Sequence, residues 1–390
     1  MRSDVLALID TDRLVHNYRA LRACCGPDVR LCAPLKANAY GHGLAIVAPA
    51  LQAAGADFAA VATLAEALEL RQVGWTGAVL VLGAVLAVRD RTERRERIDA
   101  ILNARLTLTI ADEATVATLS ALAPPRPIDV HLKIDTGMGR MGVLPDRACK
   151  LAQAIRQVPH LRLAGAYSHF ATADFEQLDL VTQQLADFND AIAAIGDALP
   201  RGAVRHIANS AATLSLPEAH FEMVRPGLAL YGYPPAGHLA QGVDLRPILR
   251  VVSHLTVVKD LPPGHGVGYG RTFTTSRPTR LGLVPIGYFD GYLRSLSNRA
   301  VVTTAVGDAP VIGRVSMDQI AVDLTDLPPL SPGEPVMLIN DAPDRPNSLP
   351  AIARQIQTIP YEVMTLLGAR IQRVPAAQFP VFSDRPTFTS

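Results

Sequence analysis

The stretch "LCAPLKANAYGHG", residues 31–43, runs apolar residues up to a single charged amine, Lys36, and follows it with a tyrosine and two glycines. A short run of this composition is how a strand covered on both faces reads. A lysine where such a strand finishes is either solvated or held for chemistry. The choice depends on what else the chain brings to the same level.

Eight runs of this kind can be counted: "VRLCAPLK" (29–36), "DFAAVAT" (57–63), "AVLVLG" (78–83), "RLTLTI" (105–110), "IDVHLKID" (128–135), "LAGAYSHF" (163–170), "VRHIANS" (204–210) and "FEMVRPG" (221–227). Amphipathic stretches such as "HGLAIVAPALQAAG", "TLAEALELRQVG" and "PDRACKLAQAIRQV" lie between them, the last opening with a proline suited to a first helical turn. Eight such units over roughly 230 residues predict an α/β fold with an N-terminal (β/α)8 TIM barrel. A doubly wound parallel sheet is the structural competitor, since periodicity does not separate the two. The polar residues favour the barrel. Lys36, Lys133, His169, Asn209 with Ser210, and Arg225 all fall at or just past predicted strand ends, the face on which barrel enzymes assemble their sites.

After the Pro/Gly-rich "YGYPPAGHLAQGVDLRP" (231–247), which reads as a linker, the pattern changes to short strands with turn signals: "ILRVVSHLTVV", "RLGLVPIGY", "AVVTTAV", "QIAVDL" and "EPVMLIN". These predict a C-terminal, mainly β domain with one helix at 348–357 and a loosely ordered tail over 375–390. The expected domains are therefore 1–236 for the barrel and 237–390 for the β domain.

A chain of 390 residues favours two domains, and 37 Lys plus Arg against 36 Asp plus Glu leave no basic footprint for nucleic acid or an acidic membrane. The opening "MRSDVLALIDTDR" does not read as a secretory signal, and the longest apolar run, "GAVLVLGAVLAV" (77–88), is too short to span a bilayer. A soluble, cytoplasmic protein acting on a small molecule is expected. Of four cysteines, Cys24 and Cys25 are adjacent while Cys32 and Cys149 stand alone, which matches neither a metal site nor a disulfide framework. Ordinary, mostly buried thiols and no metal are expected.

An amine at a barrel mouth can form a Schiff base with an aldehyde cofactor if its surroundings favour the neutral form. Tyr40 offers a hydroxyl four residues on. "ANS" (208–210) and "RPGLALYG" (225–232) follow the last two barrel strands, where barrels often hold phosphate through backbone amides. Together they suggest an aldehyde cofactor carrying a phosphate.

"PLKANAYGHG", "HLKIDTGMGRMG", "YSHFATAD", "ANS", "VRPGLALYG", "GVGYGRTF", "PIGYFDGY", "GRVSMDQ" and "TIPYEV" resemble, in order from about residue 5 to about 372, the successive motifs of the alanine racemase family. These are pyridoxal 5′-phosphate isomerases that interconvert L- and D-alanine and supply D-alanine for peptidoglycan. The resemblance implies that Lys36 holds the cofactor and serves as one catalytic base. It sets Tyr40, Asn209, Ser210, Gly227, Leu228 and Tyr361 around the cofactor, and Arg225 at the pyridine nitrogen. An arginine there is no useful proton donor, so the ring stays a weaker electron sink, which suits racemisation better than transamination.

The resemblance further makes Tyr269 the second base, linked through His169 to Arg225. Tyrosine is ordinarily a base only near pKa 10 and needs nearby positive charge. The alternative for His169 is a hydrogen-bonded core histidine, and the glycines around Tyr269 lack the strand–turn–helix context of a dinucleotide loop. Arg140, the Met317 backbone, Lys133 and Tyr288 are implied on the substrate side, with Lys133 often carboxylated in the family and orienting Arg140. Ser316 stands where many members carry cysteine, and Pro226 where other residues occur. A homodimer with active sites shared between subunits is also implied. Alternatives that keep the barrel and the lysine are a decarboxylase of basic amino acids and a non-enzymatic pyridoxal phosphate carrier.

Overall fold

A computed structural model describes the chain over residues 3–240 and 242–379. Two compact units emerge: one comprises 14–39 and 47–246, the other the residues up to Arg13, 40–46 and those from Pro247 onward. The sequence assigned 1–236 wholly to a barrel. The structure instead gives the first strand, β1 (Leu6–Ile9), and the short segment 40–46 to the β unit.

The first unit is built on β2 (Arg30–Pro34), β3 (Phe58–Val61), β4 (Ala78–Val81), β5 (Thr107–Ile110), β6 (Ile128–Lys133), β7 (Leu161–Tyr167), β8 (Val204–His206) and β9 (Met223–Val224). Seven of the eight predicted runs contain one of these strands whole, and the eighth, 163–170, overlaps β7, which begins two residues earlier at Leu161. Parallel ladders join them in the order β8-β7-β6-β5-β4-β3-β2-β9, a nearly closed barrel. Just past the ends of β8 and β9, the Arg225 amide donates to the Ala208 carbonyl at 2.9 Å. Helices start where the sequence supplies caps. Thr63 closes a capping box with Glu66, and Asp90, Asp112 and Asn209 each accept from an amide one turn on, contacts worth about 1 kcal/mol apiece.

The barrel interior has an apolar floor of Cys32, Phe58, Ala60, Leu80, Val204 and Met223. Polar residues fill the rest. On β6, Val130 and Leu132 alternate with His131 and Lys133, and all four are buried. The His131 ring lies 5.1 Å from the ring of His206 on β8 and 6.3 Å from that of Phe58 on β3, so His131 points inward. Lys133, two residues on, shares that face. The predicted linker is not free chain: Tyr231 and Tyr233 are fully buried, and the Tyr231 hydroxyl donates to the Pro34 carbonyl at 2.8 Å. Asn17 then exchanges two 2.8 Å bonds with the Arg246 backbone, which ties the stretch to the barrel unit to its end.

The second unit is a nine-stranded sheet of β1, β10 (Leu249–His254), β11 (Val257–Leu261), β14 (Thr279–Val284), β15 (Val301–Thr304), β16 (Gly307–Ile312), β17 (Ile320–Asp323), β18 (Pro335–Ile339) and β19 (Gln372–Pro375). Two-residue strands β12 (Gly266–Val267) and β13 (Phe273–Thr274) form a separate hairpin. The ladders are antiparallel except β1 with β19. The expected helix forms over Leu349–Gln355, capped by Ser348, and a second, unexpected one over Pro360–Thr365. Residues 380–390 of the predicted loose tail lie outside the described residues. Cys32 is buried and the other three cysteines are half-buried, all as free thiols. Burial pushes Cys25 up to about 11 and Cys32 to about 12, away from thiolate chemistry. Among the described residues no helix is long and apolar enough to cross a membrane.

Gly165 on β7 tests the packing of the barrel floor against its polar filling. A β-carbon there would meet the Val204 carbonyl oxygen at 2.6 Å and the His131 ring at 2.8 Å. Gly165→Ala is expected to cost about 1–3 kcal/mol by overpacking, read as a lower urea midpoint at unchanged slope.

Candidate active site

A strained turn follows β2. Ala37, Asn38, Ala39 and Tyr40 all have φ of 53–54°, a left-handed turn of residues that carry β-carbons. Such a turn costs on the order of 1 kcal/mol per residue, so the surrounding fold must hold it. Two glycines, Gly41 (φ 80°) and Gly43 (φ 95°), end it where a side chain would not fit: at Gly41 a β-carbon would sit 2.1 Å from the Met364 carbonyl oxygen.

Lys36, just ahead of this turn, stands at the strand-end mouth of the barrel with its amine pushed below the ordinary lysine range. Burial is the main cause, with the Arg140 and Arg225 guanidinium groups adding to it against a weaker pull from Glu66. Lys133, the last residue of β6, is lowered to about 7 by burial and then by Arg225. Its Nζ lies 4.9 Å from the centre of the Tyr167 ring and donates to the Ile134 carbonyl at 3.2 Å.

Arg225, buried directly after β9, organises the mouth. Its Nη2 donates to the Ser168 carbonyl at 2.8 Å and to His169 Nδ1 at 3.2 Å, and its Nη1 donates to His206 Nδ1. An arginine has no acceptor, so both histidines must accept through Nδ1, and each neutral ring carries its hydrogen on Nε2. His206 passes that hydrogen to His131 Nδ1 at 2.8 Å. All three imidazoles are held neutral. Burial and then Arg225 push His169 and His206 well below the ordinary histidine value, and burial pulls His131 down to about 4. Tyr167 stacks on His206 at 4.7 Å and 6°, lies 5.2 Å from the Arg225 guanidinium, and shares a hydrogen bond with Thr109 at 2.8 Å.

Asn209 caps the helix Ser210–Ser215 by accepting from the Ala212 amide at 3.1 Å. The Ser210 hydroxyl accepts from the Ala229 amide at 3.2 Å, which joins that helix start to the turn Leu228–Tyr231 behind Gly227. These two chain reversals follow β8 and β9. Arg140 is exposed within the loop after β6, where the Asp135 carboxylate accepts from the Gly137 and Gly139 amides at 3.1 Å.

The remaining predicted residues belong to the β unit. Tyr40 packs on Tyr361, ring centres 5.9 Å apart. Tyr269 sits at the tip of the β12–β13 hairpin, 72 % exposed, on a groove of about 450 Å³ that includes His265, Arg314, Ser316 and Gln319. Gly268 (φ 68°) and Gly270 (φ 69°) flank it because the backbone is left-handed there, which accounts for the glycines without a nucleotide. Tyr288 and Met317 are brought together: the Tyr288 amide donates to the Ser316 carbonyl at 3.0 Å and the Phe289 amide to the Met317 carbonyl at 3.2 Å. The Asp290 carboxylate secures this loop, accepting from the Gly287 amide at 3.0 Å and from Arg370 at 2.8 and 3.0 Å.

Sequence reasoning missed His131, His206, Tyr167 and Thr109. A signal was present in "IDVHLKID", where His131 and Lys133 stand two apart in an apolar strand and so share a face. His206 and Tyr167 carry no comparable local mark.

The buried histidines also set a pH dependence. A histidine with a folded pKa below its unfolded value contributes stability that is full above about 6.5 and is lost as pH falls toward the folded value. For His131 that window runs from about 6.5 to about 4, and the depression corresponds to about 3 kcal/mol. Urea unfolding between neutral and mildly acidic pH is expected to show falling stability. His131→Asn, which accepts from His206 without titrating, should flatten that dependence.

Two family models cover the chain: the alanine racemase N-terminal domain over residues 9–235 and the alanine racemase C-terminal domain over residues 248–375. The chain is 38% identical over 372 residues to the alanine racemase of Desulfovibrio desulfuricans, spanning 95% of this chain and 97% of that one. It is 39% identical over 368 residues to that of Synechocystis sp., with 94% and 97% covered. Among solved structures, alanine racemase from D-cycloserine-producing Streptomyces lavendulae superposes with a TM-score of 0.88 at 36% identity, covering 96% of this chain and 97% of that chain.

Proposed function

The chain belongs to the alanine racemase family, and from that membership we propose that it interconverts L- and D-alanine with pyridoxal 5′-phosphate held on Lys36. The observation that carries this reading is the charge pattern at the barrel mouth. A lysine whose amine burial pushes toward the neutral form shares the mouth with Arg140 and Arg225, whose charges bear both on it and on Lys133. That donor set fits the cofactor, since a neutral amine is what condenses with an aldehyde and a cationic field suits a phosphate and a substrate carboxylate. Ser210, Gly227 and Leu228, at the two chain reversals after β8 and β9, would hold the phosphate with Tyr40 and Tyr361, and Asn209 would keep its helix start in place.

When bound, the cofactor supplies the conjugated ring that accepts electron density from the α-carbon. The protein's groups do the rest. Lys36 Nζ removes or returns the α-proton on one face, and the Tyr269 hydroxyl does so on the other. Arg225 would face the ring nitrogen as a donor that does not give up its proton, which would keep the electron sink weak and disfavour reprotonation elsewhere. His169, neutral and accepting from Arg225 through Nδ1, offers its Nε2 hydrogen toward the tyrosine. Arg140 and the Met317 amide bind the carboxylate of alanine, and Tyr288 and Tyr361 crowd out larger side chains.

The Tyr269 base belongs to the partner subunit in this proposal, so that each site is shared across a homodimer. We place the enzyme in the cytoplasm, supplying D-alanine for peptidoglycan. Lys133, lowered to about 7, keeps a substantial unprotonated fraction at neutral pH, the form whose nitrogen adds carbon dioxide with loss of a proton. The resulting carbamate would neutralise part of the cationic cluster and orient Arg140.

Chiral analysis of L-alanine incubations tests the activity: D-alanine should approach equal amounts, with no carbon dioxide released. Borohydride reduction should fix the cofactor on Lys36, and Lys36→Ala should lower racemisation by roughly 10³-fold or more. An adduct on another lysine would remove the basis of the mechanism.

Lys133 is expected to carry a carbonyl signal when the protein is equilibrated with ¹³C-labelled bicarbonate. Lys133→Ala should raise KM for alanine about tenfold, the size of one lost charge-assisted contact.

Mixing Lys36→Ala with Tyr269→Phe protein under subunit exchange tests the shared site. Each homodimer lacks one base, whereas a heterodimer regains one intact site, so activity should reappear. Silence despite demonstrated exchange would assign both bases to the same chain.

A further inference from the structure

We infer that Glu66 is a positioning residue for Lys36: its carboxylate anchors the first residue of the left-handed turn and presents a negative charge to the amine. Glu66 occupies the third position of the helix Leu64–Gln72, where a capping-box glutamate needs only the amide of the capping residue. Glu66 does more. Its Oε2 accepts from the Thr63 amide at 3.0 Å and the Ala62 amide at 2.7 Å, while its Oε1 reaches 29 residues back to accept from the Ala37 amide at 2.7 Å. Ala37 follows Lys36 directly and is the first residue with positive φ. One carboxylate thereby joins the loop after β2 to the loop after β3, strands that are neighbours in the barrel.

The bonding pattern requires an anion. Three backbone N–H groups converge on two oxygens, so each oxygen must accept. A glutamine would bring one acceptor and turn its own N–H2 against a donor, either at Ala37 or at the helix start. The charge has a second effect. Burial, Arg140 and Arg225 drive the Lys36 amine toward neutrality, and Glu66 acts in the opposite sense. An amine that must both give and take a proton needs such a counterweight, because a base stripped of its proton affinity no longer removes protons.

This inference rests on Lys36 being the reacting amine, and its test reads that amine without turnover. Full-length protein freed of bound carbonyl compounds is labelled with trace acetic anhydride from about pH 6 to about pH 11, and the Lys36 peptide is quantified by mass spectrometry. Amide hydrogen exchange at Ala37 is followed on the same protein. Glu66→Gln is expected to move the Lys36 labelling midpoint to lower pH and to speed Ala37 exchange roughly tenfold. Thr63→Ala removes the hydroxyl half of the cap but leaves the carboxylate, and it should change neither. An unmoved midpoint in Glu66→Gln, or an equal shift in Thr63→Ala, would reduce Glu66 to a helix cap and overturn the proposal. Should Glu66→Gln fail to fold, Glu66→Asp keeps the charge on a shorter arm, and unchanged Ala37 exchange there would overturn it equally. None of these readings needs racemase activity, so a wrong activity assignment and a wrong role for Glu66 give different results.

Discussion

A buried guanidinium that can only donate and does not discharge governs the barrel mouth. Arg225 lies among His206, His169 and the carbonyls of Ser168 and Ile207, and every one of these must accept from it. Two imidazoles are thereby held neutral with their hydrogens on Nε2, and the direction of the next bond, His206 to His131, follows without further choice. The same charge lowers Lys36 and Lys133. Burial is the larger cause at each of these groups, and a single residue after β9 adds to it at all of them.

The second constraint is backbone strain at the reacting lysine. Four consecutive residues with β-carbons turn left-handed after Lys36, which no local preference supports. The turn persists because the fold around it holds it: Ala39 is fully buried and the Ala37 amide is held by Glu66, while the Ala39 amide donates back along the chain to the Leu35 carbonyl at 3.0 Å. Strain held in this way fixes where the amine can go, which is what a base on one face of a carbon centre requires. The β unit uses comparable means in the hairpin that carries Tyr269 and in the loop that Asp290 closes around Tyr288.

Much of the architecture was legible in the chain. Eight apolar runs, each close to the length of one strand and alternating with amphipathic stretches, point to a barrel because strand and helix differ in period. The ordered motifs placed Lys36, Lys133, His169 and Arg225 at strand ends, where the structure has them. Less visible were β1 and β19, which pair across almost the entire chain, and the stretch 231–247, whose Pro and Gly content suggested a linker although its tyrosines are core. Composition reports local freedom of the backbone and is silent on which distant groups a side chain will meet.

Sequence by itself determined what depends on neighbours along the chain: strand and helix periodicity, the caps at Thr63, Asp90, Asp112 and Ser348, the glycines that permit turns, and the ladder of motifs that identifies the family. Only the tertiary structure decided the charge states and the network at the mouth. His131, Tyr167, His206 and Arg225 come from four separate strands or strand ends, and Glu66 reaches Ala37 across 29 residues. Their pKa directions, tautomers and contacts arise from burial and from charges that are close in space while remote in sequence, and those terms exist only once the barrel has closed around them.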